Sequence, residues 1–102
     1  MKRELVFRPR ARTDLRDLYD YINEDSPASA ARYVERIEAY CRNLLDFPER
    51  GTRRDDLRPG IRIIRFRRNA SIAFFVFDDR VEIARILYGG REMGHALEED
   101  EF

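Results

Sequence analysis

Apolar residues recur with a helical period in the first half of the chain and predict a short strand followed by two helices. A run over residues 4–7, which Pro9 ends, indicates a first or edge strand. A helix is predicted over residues 9–23, because its apolar side chains recur at i, i+3, i+4 and i+7: Leu15, Leu18, Tyr19 and Ile22. Ser26 and Pro27 suit the N-cap and first turn of a second helix, which Pro48 ends.

Three strands are predicted in the second half, over residues 61–66, 70–77 and 80–88, with tight turns at 67–69 and 78–80. Two helices joined by about three residues form an antiparallel hairpin, and they need a sheet to cover. We therefore expect a single α+β domain over residues 1–102, in the order β-α-α-β-β-β, with the hairpin packed on a small antiparallel sheet. Residues 91–96 could form one helical turn, and we expect an acidic, frayed tail over residues 97–102.

The middle strand of these three is apolar on both of its alternating faces. Two helices cover only one face of a small sheet, and an exposed apolar face indicates a protein interface. The alternative is that the C-terminal segment, with Met93 and Leu97, packs on this face. We favour the interface.

Charge is balanced overall but not along the chain, which has 20 basic and 20 acidic residues. Residues 50–68 contain eight arginines against two aspartates, whereas residues 92–102 contain five acids and no Lys or Arg. This asymmetry leaves two explanations open. The basic segment binds an anionic partner, or the acidic tail folds back on it.

The sequence shows no signal peptide and no apolar run long enough to span a membrane. We therefore expect a soluble, cytoplasmic protein without membrane contact. A helical pattern surrounds the single cysteine, Cys41, which favours a buried structural thiol.

Enzymatic groups are scarce in the sequence. His95 is the only histidine, no metal-ligand cluster or glycine-rich phosphate loop is present, and we expect no cofactor or metal. Adjacent carboxylates at 55–56 and 78–79 suit turns better than acid/base chemistry. A remaining group of side chains could hold phosphates or an RNA backbone: Arg62, Arg65, Arg85, Tyr88 and Arg91. We favour the alternative that these arginines form ion pairs with Asp55, Asp56, Glu82 or an acidic partner segment.

Taken together, the order and spacing of several motifs over about residues 4 to 92 resemble a known family. The motifs are Asp14-Leu15-x-x-Leu18-Tyr19-x-Tyr21-Ile22, Ser26-Pro27-x-x-Ala30-x-Arg32-Tyr33-Val34, Leu44-x-x-Phe47-Pro48-Glu49-x-Gly51, Asp56-Leu57-Arg58-Pro59-Gly60-Ile61-Arg62 and Val81-x-Ile83-x-Arg85-Ile86-Leu87-Tyr88-Gly89-Gly90-Arg91. The chain is similar to the ParE branch of the RelE/ParE toxin superfamily of type II toxin–antitoxin systems.

The resemblance implies a helical hairpin on a small sheet and a cognate, ParD-like antitoxin that forms a hetero-oligomer with the toxin. It also implies growth inhibition with DNA gyrase as the target and no sequence-specific nucleic-acid binding. We expect the partner-binding residues to be Arg58, Arg62, Arg65, Phe75, Phe77, Arg85, Tyr88 and Arg91.

Two alternatives remain open. One is a ribosome-dependent mRNA endonuclease of RelE type, which would use Arg62, Arg85 and Tyr88. The other is a degenerate binding module that is not toxic.

Overall fold

The computed structural model describes residues 3–67, 69–89 and 91–98. Its elements are β1 (Glu4–Phe7), α1 (Pro9–Asn23), α2 (Pro27–Asn43), β2 (Thr52–Arg53), β3 (Arg62–Phe66), β4 (Ala70–Val76), β5 (Arg80–Tyr88) and α3 (Met93–Glu98). The α+β class and the helical hairpin on a sheet are confirmed.

The sheet has five strands in the order β1-β5-β4-β3-β2. Strands β3, β4 and β5 pair antiparallel, as predicted, and β2 pairs antiparallel with β3, whereas β1 pairs parallel with β5. Parallel strands need a long crossover connection, and here the elements between β1 and β5 form it. The two-residue strand β2 was not predicted, because a strand of that length has no periodicity to detect.

The helical hairpin covers one face of the sheet. Helix α2 begins as predicted, with the Ser26 hydroxyl accepting a hydrogen bond from the Ser29 backbone N–H at 3.3 Å. Helix α1 is rotated slightly from the predicted stripe, since Tyr19 is 37% exposed whereas Ala11 and Asp14 are buried. The core between hairpin and sheet contains Leu18, Ile37, Cys41, Leu44, Phe66, Ile72, Phe74, Val81, Ile83 and Ile86. Cys41 is therefore a buried thiol, as predicted.

The second face of the sheet is covered by the C-terminal helix α3, so our preference for an exposed interface there is wrong over most of its area. A second core lies between α3 and the sheet, formed by Ile61, Ala73, Ala84, Leu87, Met93, Ala96 and Leu97. The end of this face near Phe77, which is 36% exposed, stays open. The apolar residues on both faces of β4 thus serve two cores within one chain.

The predicted frayed tail does not begin at residue 97. Leu97 is 1% exposed, and it lies in α3 with Glu98. Residues 99–102 lie outside the described residues. None of the helices in the described part of the chain is long and apolar enough to cross a membrane.

Candidate functional site

Arg85, predicted to bind a partner or to take part in catalysis, is fully buried. Its Nε and Nη2 donate to the Asp14 carboxylate at 2.8 and 3.0 Å, and its Nη1 donates to the Ala96 carbonyl at 2.9 Å. The guanidinium therefore joins α1 to α3. Because no part of Arg85 reaches the surface, its predicted role in partner binding is wrong.

The local geometry of β5 explains why an acid stands opposite this arginine. Strand β1 ends at Phe7, which pairs with Ile83, so no strand among the described residues pairs with the outer edge of β5 beyond that point. The Asp14 carboxylate accepts a hydrogen bond from the Ile86 backbone N–H at 2.9 Å and so satisfies a donor of this open edge. This role of Asp14 was not predicted from the sequence.

A bulge lies at the same place. Ala73 of β4 pairs with Arg85 and Phe74 pairs with Ile83, which leaves Ala84 as an extra residue on β5. Bulges re-aim side chains where they occur. Here the bulge precedes the buried arginine, which reaches helices on both sides of the sheet.

Arg58 also stabilises the fold. Its Nη2 donates to the Leu97 carbonyl at 2.8 Å, near the end of α3, and its Nη1 donates to the Leu57 carbonyl at 2.9 Å. A side chain that donates to the last carbonyls of a helix stabilises its C-terminus. Arg58 and Arg85 together hold α3 on the sheet.

Arg62 and Tyr88, the other residues of the alternative catalytic set, are not brought together. Both lie on the hairpin side, since Arg62 pairs with Phe74 and Tyr88 pairs with Ala70. They stand at opposite ends of the strands, and four residues at 3.3 Å separate the two levels by about 13 Å. Arg62 donates to the Glu49 carbonyl at 3.1 Å.

The open end of the second face carries a small cluster of aromatic and charged side chains. The Arg8 guanidinium lies 4.6 Å from the Phe75 ring centroid, and that of Arg80 lies 4.1 Å from the Phe77 ring centroid. Both arginines form ion pairs with Glu82. Partial burial raises the pKa of Glu82, but the hydrogen bonds from Arg80 and Arg8 outweigh burial and leave its pKa below the usual value.

Two of the arginines in the basic segment are neutralised by their own neighbours. Arg53 pairs with Asp55 at 3.0 Å, and Arg54 pairs with Asp56 at 2.8 Å. A hydrogen bond from the Gly60 backbone N–H and another from Arg53 lower the pKa of Asp55. The predicted partners are therefore wrong: Asp55 and Asp56 pair with Arg53 and Arg54, and Glu82 pairs with Arg8 and Arg80, none of which we named.

A cavity of about 250 Å³ opens between α1 and the end of β5. The residues that line it include the predicted site residues Tyr88 and Arg91, together with Leu18, Tyr21 and Ile86. The rings of Tyr21 and Tyr88 meet edge to face, with centroids 5.6 Å apart. Asp17 stands among the lining residues as well.

Of the other predicted site residues, Arg65 is exposed on β3, and its carbonyl accepts a hydrogen bond from the Tyr40 hydroxyl at 3.5 Å. His95 is exposed on α3. Over residues 3–67, 69–89 and 91–98, no group of three or more His, Cys, Asp or Glu side chains could hold a metal ion.

Comparison with known proteins gives a family. The family model of the ParE toxin of the type II toxin–antitoxin system, parDE, matches residues 5–93. The structure is similar to the chromosomal ParDE toxin–antitoxin system from P. aeruginosa, with 27% identity and a TM-score of 0.72, over 85% of this chain and 96% of that chain.

Its fold is also that of a chain in the RelBE2 toxin–antitoxin complex from Mycobacterium tuberculosis. The TM-score is 0.58 at 22% identity, over 87% of this chain and 100% of that chain. A search of curated protein sequences gives no significant match. Because the ParE model matches most of the sequence, the chain belongs to the ParE toxin family of type II toxin–antitoxin systems.

Proposed function

We propose that this toxin arrests growth by binding DNA gyrase in the cytoplasm, and that a cognate, ParD-like antitoxin neutralises it in a hetero-oligomer. The burial of Arg85 against Asp14 carries this proposal over mRNA cleavage. An arginine that stabilises charge on a phosphate has to reach the phosphate, and this one is 0% exposed. The toxin then acts through contact with its target.

The side chains named for the RNA alternative are also poorly placed for proton transfer. General acid–base catalysis needs a side chain within hydrogen-bond reach of the reacting group. Arg62 and Tyr88 stand about 13 Å apart along the strands, by the rise per residue. His95 lies on α3, on the other side of the sheet from the face that carries Arg62 and Tyr88. No common position serves all of these groups.

The antitoxin is supported by two observations. Both of the similar solved structures described above are toxin–antitoxin systems. In this chain, the second sheet face stays open at Phe77, and Arg91 is exposed beside the cavity that Tyr88 lines. Apolar and cationic surface of this kind suits a protein partner.

The test compares gyrase with the ribosome as target. We expect the purified toxin to inhibit DNA supercoiling by gyrase or to stabilise gyrase-bound DNA breaks, and an equimolar amount of antitoxin to relieve this effect. Ribosome-bound mRNA should stay intact.

The choice of variants matters for the RNA alternative. Loss of activity in Arg85→Ala would report a damaged fold, because the residue is buried. Arg62→Ala and Tyr88→Phe are more informative. Cleavage of ribosome-bound mRNA that either variant abolishes would establish the endonuclease instead, and expression without growth arrest would establish a non-toxic module.

A further inference from the structure

An exposed tyrosine borders the cavity between α1 and β5. Tyr21 is 62% exposed, which is the largest exposed fraction of any large apolar side chain among the described residues. Its ring contacts Tyr88, and Leu18 and Ile86 supply the apolar lining beside it. A large aromatic side chain that borders an apolar cavity is typical of a protein-binding hot spot.

Acidic side chains surround this tyrosine. Asp17 lies one turn before Tyr21 on α1, where residues four positions apart are neighbours, and Glu24 and Asp25 follow directly after α1 ends at Asn23. All three carboxylates are exposed, and none forms an ion pair with another described residue. These carboxylates make the α1 side of the cavity negative, whereas Arg91 lines the cavity itself.

Size and charge select the kind of ligand. The cavity of about 250 Å³ is smaller than the roughly 300–1,000 Å³ of small-molecule sites. Three unpaired carboxylates repel the phosphates of a nucleic acid, which basic side chains attract. An apolar protein side chain next to basic residues fits both properties.

We propose that this cavity receives an apolar anchor residue of the antitoxin, from a segment that carries Lys or Arg beside the anchor. The inference rests on the neutralisation proposed above and names the surface that serves it. A neutralising partner has to stay bound, and long residence comes from desolvated aromatic contacts such as those Tyr21 and Tyr88 offer.

The chain provides a matched control for the test. Tyr19 lies two positions from Tyr21 on the same helix and is 37% exposed, but it does not line the cavity. The probe is the purified product of the antitoxin reading frame next to the toxin gene, titrated into Tyr21→Ala and Tyr19→Ala toxin by calorimetry. We expect the dissociation constant to rise about 30-fold or more for Tyr21→Ala, as for a hot spot, and to change less than about threefold for Tyr19→Ala.

Charge is tested by Asp17→Asn. This variant should weaken binding and flatten the dependence of the dissociation constant on salt, because one screened attraction is removed. Thermal melts of all variants establish that they are folded, which their exposed positions favour.

Three results would overturn the inference. Equal dissociation constants for Tyr21→Ala and wild type would show that the anchor lies elsewhere. Loss of gyrase inhibition in Tyr21→Ala with unchanged antitoxin binding would assign the cavity to the target. An antitoxin that does not bind the wild-type toxin at all would refute the proposed neutralisation itself, and this inference with it.

Discussion

Replacement of Asp14 by Asn tests whether the ion pair with Arg85 determines the stability of this fold. The substitution keeps the shape of the side chain and an acceptor for the Ile86 backbone N–H. It removes the negative charge that faces the guanidinium at 2.8 Å. The consequence is a positive charge inside the protein without its counter-charge.

The magnitude follows from burial. The side chains of Arg85 and Asp14 are 0% and 4% exposed, so water cannot replace the lost partner. Breaking such a buried pair costs about 3–5 kcal/mol of unfolding free energy. A domain of this size has about 5–15 kcal/mol in total. The melting temperature should therefore fall by roughly 12–40 °C, at 4–8 °C for each kcal/mol.

Urea denaturation followed by far-UV circular dichroism measures this loss. Asp17→Asn, on the exposed side of the same helix, should change the unfolding free energy by about 0.5 kcal/mol or less. Replacement of both partners, as Asp14→Asn with Arg85→Met, should recover more than half of the loss, because no buried charge is left and the Ile86 N–H keeps an acceptor. A loss below about 1 kcal/mol for Asp14→Asn would refute the reasoning.

Three further predictions concern Cys41, Arg58 and Gly51. Burial raises the pKa of the Cys41 thiol to about 12. At pH 8 a thiol reagent should therefore label Cys41 only as fast as the protein unfolds. Rapid labelling without denaturant would contradict this. Arg58→Ala removes the donor to the Leu97 carbonyl, and hydrogen exchange of α3 amides should accelerate while that of β4 stays unchanged. Gly51 has a φ of +77°, and an added Cβ would lie 2.5 Å from the Ile63 carbonyl oxygen, so Gly51→Ala should cost about 2 kcal/mol or more in urea denaturation.

Local patterns predicted the elements well. The bounds of α1 agree with the prediction, and those of β3, β4 and β5 agree within one residue. Each of these elements has a run of apolar residues with a clear period and an evident boundary, such as Pro9 at the start of α1 or the turn near Asp78. The apolar period of a helix or strand depends only on residues that are close together along the chain, so the sequence alone reveals it.

Tertiary partners were predicted less well, because the same pattern fits more than one. An apolar strand face such as that of Ala73 is buried equally well by another protein or by the chain itself. Helix α3 has only six residues, too few for a reliable amphipathic pattern. Its place on the sheet depends on hydrogen bonds from Arg58 and Arg85, which come from distant parts of the sequence.

The Asp14–Arg85 pair shows which signal could have been used. Asp14 lies within the apolar stripe of α1, between Ala11 and Leu18, and Arg85 lies within the apolar run of β5. Arg85 alone suggested a role in partner binding or catalysis, and Asp14 alone suggested no role. A buried charge is rare unless it is paired, so an acid in the buried stripe of one element and a base in that of another predict each other. Paired in this way, Asp14 and Arg85 belong in the core, on the boundary between the two apolar clusters that α1 and α3 cover.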